Sequence, residues 1–140
     1  MSTALVDAVA RLLAAEGVGA YSTTDALPQG SVPITLYAMP QGQGDAIAVS
    51  TYAGPEPDTR NEWEYPRLQV RVRATNPLDA LSLDRAAYDV LQTAKGALPG
   101  GTWSLTDAYA LQSAAQPLGL DANGRHEYVR NYQLSTHRTS

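Results

Sequence analysis

A chain of 140 residues, 44% of them hydrophobic, is long enough to bury a core, since at about this size roughly 70% of the unfolded surface leaves water on folding. Its net charge of −4 gives no overall pull toward nucleic acid, and the absence of Cys excludes disulfide scaffolds, thiolate zinc sites and cysteine nucleophiles. No apolar run approaches the ~20 residues of a membrane span, and Met1-Ser2-Thr3-Ala4 lacks the basic start of a signal peptide, so the expectation is one soluble domain over 1–140.

Residues 2–16 read as an amphipathic helix, with Leu5, Val9, Leu12 and Leu13 on one stripe, Ser2 or Thr3 as cap and Gly17 as stop. Residues 17–31 are rich in Gly, Ser, Thr and Pro, with a short connection or strand near Val18–Tyr21. Pro33 and Pro40 bracket Ile34–Ala38, which makes it an edge element at most. A turn over Gln41–Asp45 leads into a strand, Ala46–Tyr52, in which Ile47, Val49 and Thr51 alternate. Ala53–Glu64 reads as a long loop, and loops of that length tend to be functional or mobile.

The most informative stretch follows. In Pro66–Ala74, Leu68, Val70 and Val72 fall on one face of a strand, while Arg67, Gln69, Arg71 and Arg73 fall on the other. Arginine is costly to bury unpaired, so that second face must meet water, carboxylates or phosphate. Asn76 as N-cap, Pro77 at the first helical position and Asp79 in the first turn start a second helix running to about Lys95. Its buried stripe is Ala80, Leu83, Ala87, Val90, Leu91 and Ala94. Strands near Thr102–Leu111 and Glu127–Thr136 flank a turn at Asn123-Gly124; His137–Ser140 reads as a frayed tail. The expected fold is α+β: a mostly antiparallel, mixed sheet of about four strands with two helices packed on one face. The bare face would carry Arg67, Arg71 and Arg73.

Catalytic and cofactor patterns are sparse. Gly42-Gln43-Gly44 enters a strand rather than a helix and so lacks the N-terminus that holds pyrophosphate; a glycine turn is the plain reading. No serine is singled out to work with His126 or His137. The loop carboxylates Glu56, Asp58, Glu62 and Glu64 could in principle bind a hard cation, but they lack calcium-loop spacing and are stiffened by Pro55 and Pro57. A solvated or partner-facing loop is preferred, and Trp63 within it either anchors a partner or folds back on the sheet. No cofactor, metal or catalytic residue is therefore expected. Nine of the ten basic residues are Arg, which fits interface pairing with carboxylates and equally a GC-rich genome. For the arginine face three readings stay open: pairing within the sheet, with acidic groups of another subunit, or with DNA in a channel.

Tyr65–Arg73, the Asn76-Pro77 helix with Ala80 and Tyr88-Asp89-Val90-Leu91, and Pro117–Arg125 closing into Tyr128–Tyr132 together resemble the bacteriophage tail terminator proteins of long-tailed phages. The resemblance spans residues 1–16 and 65–136. It implies a structural virion protein with no reaction, located in the tail or neck and assembled in the cytoplasm of a bacterial host. Its partners would be copies of itself in a ring, usually a hexamer, the tail tube protein below and a head-completion or stopper protein above, with DNA passing transiently through the lumen and no membrane contact. Arg67, Arg71 and Arg73 would then line a subunit contact or the lumen, and Glu56, Asp58, Glu62, Trp63 and Glu64 would form a partner-facing loop. On this reading Arg71→Glu should impair assembly and leave the fold intact. Alternatives are a head–tail connector, stopper or minor capsid protein; a small hydrolase or transferase using Asp107, Asp121 or His126; and a ligand-binding or regulatory domain.

Overall fold

The structure, a computed structural model, describes residues 4–42, 44–58 and 62–138. Helix α1 (Leu5–Ala15) buries Leu5, Val9 and Leu13 and half-buries Leu12, as the apolar period requires. The expected caps Ser2 and Thr3 lie outside the described residues; the N-cap position is Ala4, which has no side-chain acceptor. At the other end Gly17 takes φ +81°, a region open to glycine without steric cost. The Val18 N–H reaches the Leu13 carbonyl at 3.0 Å and the Gly17 N–H reaches Ala14 at 3.1 Å, closing the helix with Val18 buried beneath it.

Eight strands follow rather than four: β1 (Ile34–Leu36), β2 (Ala46–Tyr52), β3 (Trp63–Glu64), β4 (Arg67–Ala74), β5 (Gly96–Ala97), β6 (Trp103–Ala110), β7 (Gln116–Leu120) and β8 (His126–Arg138), with helix α2 (Pro77–Leu91) between β4 and β5. The spatial order is β1-β2-β4-β8-β6-β5, and β3 and β7 also pair with β8. Only β1 and β2 run parallel; the remaining pairs are antiparallel. The sheet exceeds the expected count for two reasons. β3 and β5 are two residues long, too short for any alternation to show. β7, read as a connection, contains Pro117, Gly119 and a register shift, which erase a period of two. Near Val18–Tyr21 there is no strand, only an isolated bridge from Ala20 to Pro33, and β8 continues through Arg138.

Leu68, Val70 and Val72 are buried as the alternation predicts, and they share one apolar cluster with Ile47 and Val49 of β2, Tyr132 and Leu134 of β8, and the buried faces of both helices. α2 begins as expected, with the Leu78 N–H donating to Asn76 Oδ1 at 2.8 Å. It ends at Leu91, earlier than about Lys95, because Gln92 turns extended and Thr93 takes a positive φ of 64°. Gln92 then uses its side chain instead, its Oε1 accepting the Ala110 N–H at 2.7 Å.

One buried ion pair on α2 and one part-buried charge cluster on α1 tie the helices to the rest. Asp84, in the middle of the α2 stripe, accepts from Arg130 of β8 through Nε at 3.1 Å and Nη2 at 2.7 Å, and both side chains are only 4% exposed. Tyr88 covers that guanidinium, whose carbon lies 4.6 Å from the ring centroid. On α1, Asp7 accepts from Arg11 at 2.9 Å and from the Tyr21 hydroxyl at 2.6 Å, which fastens the segment after the helix back onto it. Burial raises the Asp7 pKa, but hydrogen bonds from Arg11 and Tyr21 and the Arg11 charge outweigh it, so the net shift is downward. Burial and the bond to Asp7 push the Tyr21 hydroxyl up to about 12.

Removing one member of a buried pair strands its partner. Asp84→Ala should therefore cost about 3–5 kcal/mol in denaturant unfolding, while Asp84→Leu combined with Arg130→Met should cost much less. Because the folded pKa of Asp7 lies below its unfolded value of about 3.9, its contribution is complete above that pH and is lost as pH falls through the folded value. Asp7→Asn should flatten the acid limb of stability measured against pH.

Candidate assembly interface

The face of β4 opposite the core is a polar surface assembled row by row. Register aligns Ser50, Gln69 and Asn131 in one row and Tyr52, Arg67, Gln133 and Tyr109 in the next, across β2, β4, β8 and β6. Neither row is hidden beneath a helix, since the buried helix residues gather on the Leu68 side. Side chains satisfy one another across the strands. Tyr52 donates its hydroxyl proton to Asn131 Oδ1 at 2.9 Å, and Gln69 Nε2 lies 3.4 Å from the same oxygen. Arg67 Nε donates to Gln133 Oε1 at 3.1 Å, and Gln133 Nε2 donates to the Tyr65 carbonyl at 2.8 Å.

The three arginines of this face have different surroundings. Arg71 pairs with Glu127 at 2.6 Å, with side-chain exposures of 40% and 10%, which is cross-strand pairing inside the sheet. Arg73 is buried and donates to the Pro40 carbonyl at 2.6 Å and the Gly44 carbonyl at 3.1 Å. Burial, then the nearby charge of Arg125, lowers its pKa. Arg67 alone is exposed, and its hydrogen-bond partner is a neutral amide.

Arg125 works with Arg73. It donates to the Gly42 carbonyl and, at 2.9 Å, to Asp121 Oδ2. Asp121 in turn accepts the backbone N–H groups of Asn123 and Arg125, each at 2.9 Å. Arg73 thus holds Pro40 and Gly44 to β4, and Arg125 holds Gly42 to the tip of the β7–β8 hairpin. The glycine turn presents carbonyls to arginines, the opposite of a phosphate cradle. Sequence reasoning missed Asp84, Arg125, Glu127 and Arg130. The one available signal was charge inside apolar periods, as with Asp84 between Ala80 and Ala87.

The loop after β2 is pinched at its base: a Cβ on Gly54 would sit only 1.9 Å from the Tyr65 carbonyl oxygen, so only glycine fits there. Glu56, Glu62 and Glu64 are exposed, Asp58 is half-exposed, and Trp63 is half-buried with its ring 5.1 Å from that of His137. Asp107 is exposed on β6 opposite Ser135, Asp121 is committed to its turn, and His126 opens β8 opposite Leu120. These three form no common site, and among the described residues no group of three or more His, Asp or Glu is placed to hold a metal.

The contrast between two neighbouring arginines is testable. Arg71→Glu would set a carboxylate beside the nearly buried Glu127, so it should cost about 1–3 kcal/mol of folding stability in addition to any effect on assembly. Arg67→Glu, at an exposed site, should stay within about 0.5 kcal/mol of the parent. Paired denaturant titrations read both.

A family model described as bacteriophage tail terminator protein matches residues 12–138. No curated protein matches the sequence. Six chains of known structure match it. One of them, from "Virion of native gene transfer agent (GTA) particle", has a TM-score of 0.60 and 17% identity over 97% of this chain and 96% of that one. At that identity the likeness shows a common fold. Together with the family match over most of its length, the chain belongs to the bacteriophage tail terminator family, whose members are structural tail proteins rather than enzymes.

Proposed function

We propose that this chain closes into a ring of copies, six in number, that seats on the last ring of the tail tube, ends its polymerisation and forms the tail-side ring of the head–tail junction. The observation that carries this reading is the family match over residues 12–138. The fold it shares with a chain of a gene transfer agent virion supports work inside a particle. Physically, a cap needs a stiff subunit with several distinct surfaces, because head-to-tail contacts must close at a fixed rotation. A sheet with one helix-covered face, one polar face and a pinched acidic loop offers such surfaces. The tube protein would lie on one side of the ring and the head-completion or stopper protein on the other. DNA would pass through the lumen during ejection, and assembly would take place in the host cytoplasm.

Tails assembled without this protein, viewed by electron microscopy, should be tubes of uncontrolled length that do not join heads. Tubes of normal length carrying no heads would instead indicate a stopper role, and normal joined particles would overturn any terminal role.

A further inference from the structure

One row of the polar sheet face sets an exposed arginine between two exposed tyrosines. Tyr52, Arg67, Gln133 and Tyr109 lie side by side on four adjacent strands, and the two tyrosines are 41% and 43% exposed. Tyrosine and arginine are the residue types that concentrate binding energy in interfaces. Gln133 holds Arg67 by Nε, which orients the guanidinium and leaves its two terminal nitrogens for a carboxylate fork. Among the described residues no carboxylate pairs with Arg67, in contrast to Arg71, whose charge Glu127 already meets.

The complementary charge is in the same chain. The stretch 53–64 carries four carboxylates against one arginine, and Glu56, Glu62 and Glu64 are exposed with no ion pair among the described residues. The loop starts after Tyr52, the last residue of β2, and returns through β3 to Pro66, beside Arg67 at the start of β4, so a head-to-tail contact would bring the loop of one copy onto the adjoining row of the next.

We propose that the Tyr52–Arg67–Tyr109 row is the receiving half of the contact between copies, and that it takes the acidic loop of a second copy, with Arg67 donating to a glutamate carboxylate between the two tyrosine rings. This rests on the ring reading above and assigns its contact surfaces. Rim charges steer association, while a desolvated arginine–carboxylate fork holds it.

The test uses full-length protein added to uncapped tail tubes. Arg67→Glu should weaken ring formation on tubes by roughly tenfold or more, and reversing the loop (Glu56→Lys, Glu62→Lys and Glu64→Lys) should do likewise. Combining the four changes should restore it. Because the chain has no cysteine, a second readout is available: Arg67→Cys protein mixed with Glu56→Cys protein on tubes should give mixed disulfide dimers on oxidation, and neither variant alone should match their yield. Full capping by Arg67→Glu, or failure of both rescue and cross-linking, would overturn the assigned contact while leaving the capping role standing. Wild-type protein that never stops tube growth would overturn the capping role itself.

Discussion

Four other strands and helix α2 are fastened to one strand. β8 runs for thirteen residues and is hydrogen-bonded along both edges, to β4 and β3 on one side and to β6 and β7 on the other. Its inward residues, Arg130, Tyr132 and Leu134, meet α2 and the core, while Asn131 and Gln133 organise the polar face. A strand paired on both edges cannot slip without moving core side chains to the wrong face. Register on β8 therefore fixes which side chains share a row on the outer surface.

The buried arginines extend that constraint to the periphery. Arg130 locks α2 to β8, Arg73 holds Pro40 and Gly44 to β4, and Arg125 holds Gly42 to the hairpin tip. Such groups add little net stability compared with apolar replacements, whereas breaking one leaves an uncompensated buried charge. In the ring proposed above, a single arrangement would matter more than a few kcal/mol. The satisfied network on the sheet face has the same consequence: its side chains are already ordered, so less rotamer freedom is lost on docking.

The sequence was most legible where burial is one-sided. Alternation located β2 and β4, the apolar period located α1, and Asn76-Pro77 marked the start of α2. It was least legible where neither period operates. Gln116–Leu120 is exposed along its whole length, so β7 had no buried side to announce it. The parallel pairing of β1 with β2 is set by how the chain returns and not by any local pattern. Asp84 and Arg130 were passed over because a charged residue inside an apolar stripe reads as an interruption, although here each is the other's partner. Alternation put Arg67, Arg71 and Arg73 opposite the core residues of their strand; which of them is buried on carbonyls, paired or outward depends on neighbours up to 66 residues away in sequence, as with Arg67 and Gln133.

The proposed contact buries the polar sheet face of one copy against another. Hydroxyl-radical footprinting of the tyrosines, in free protein and in finished tails, addresses it directly. Tyr52 and Tyr109 are both well exposed in the isolated chain, so the account predicts that their reactivity drops sharply on assembly. Unchanged reactivity of both residues in finished tails would contradict it.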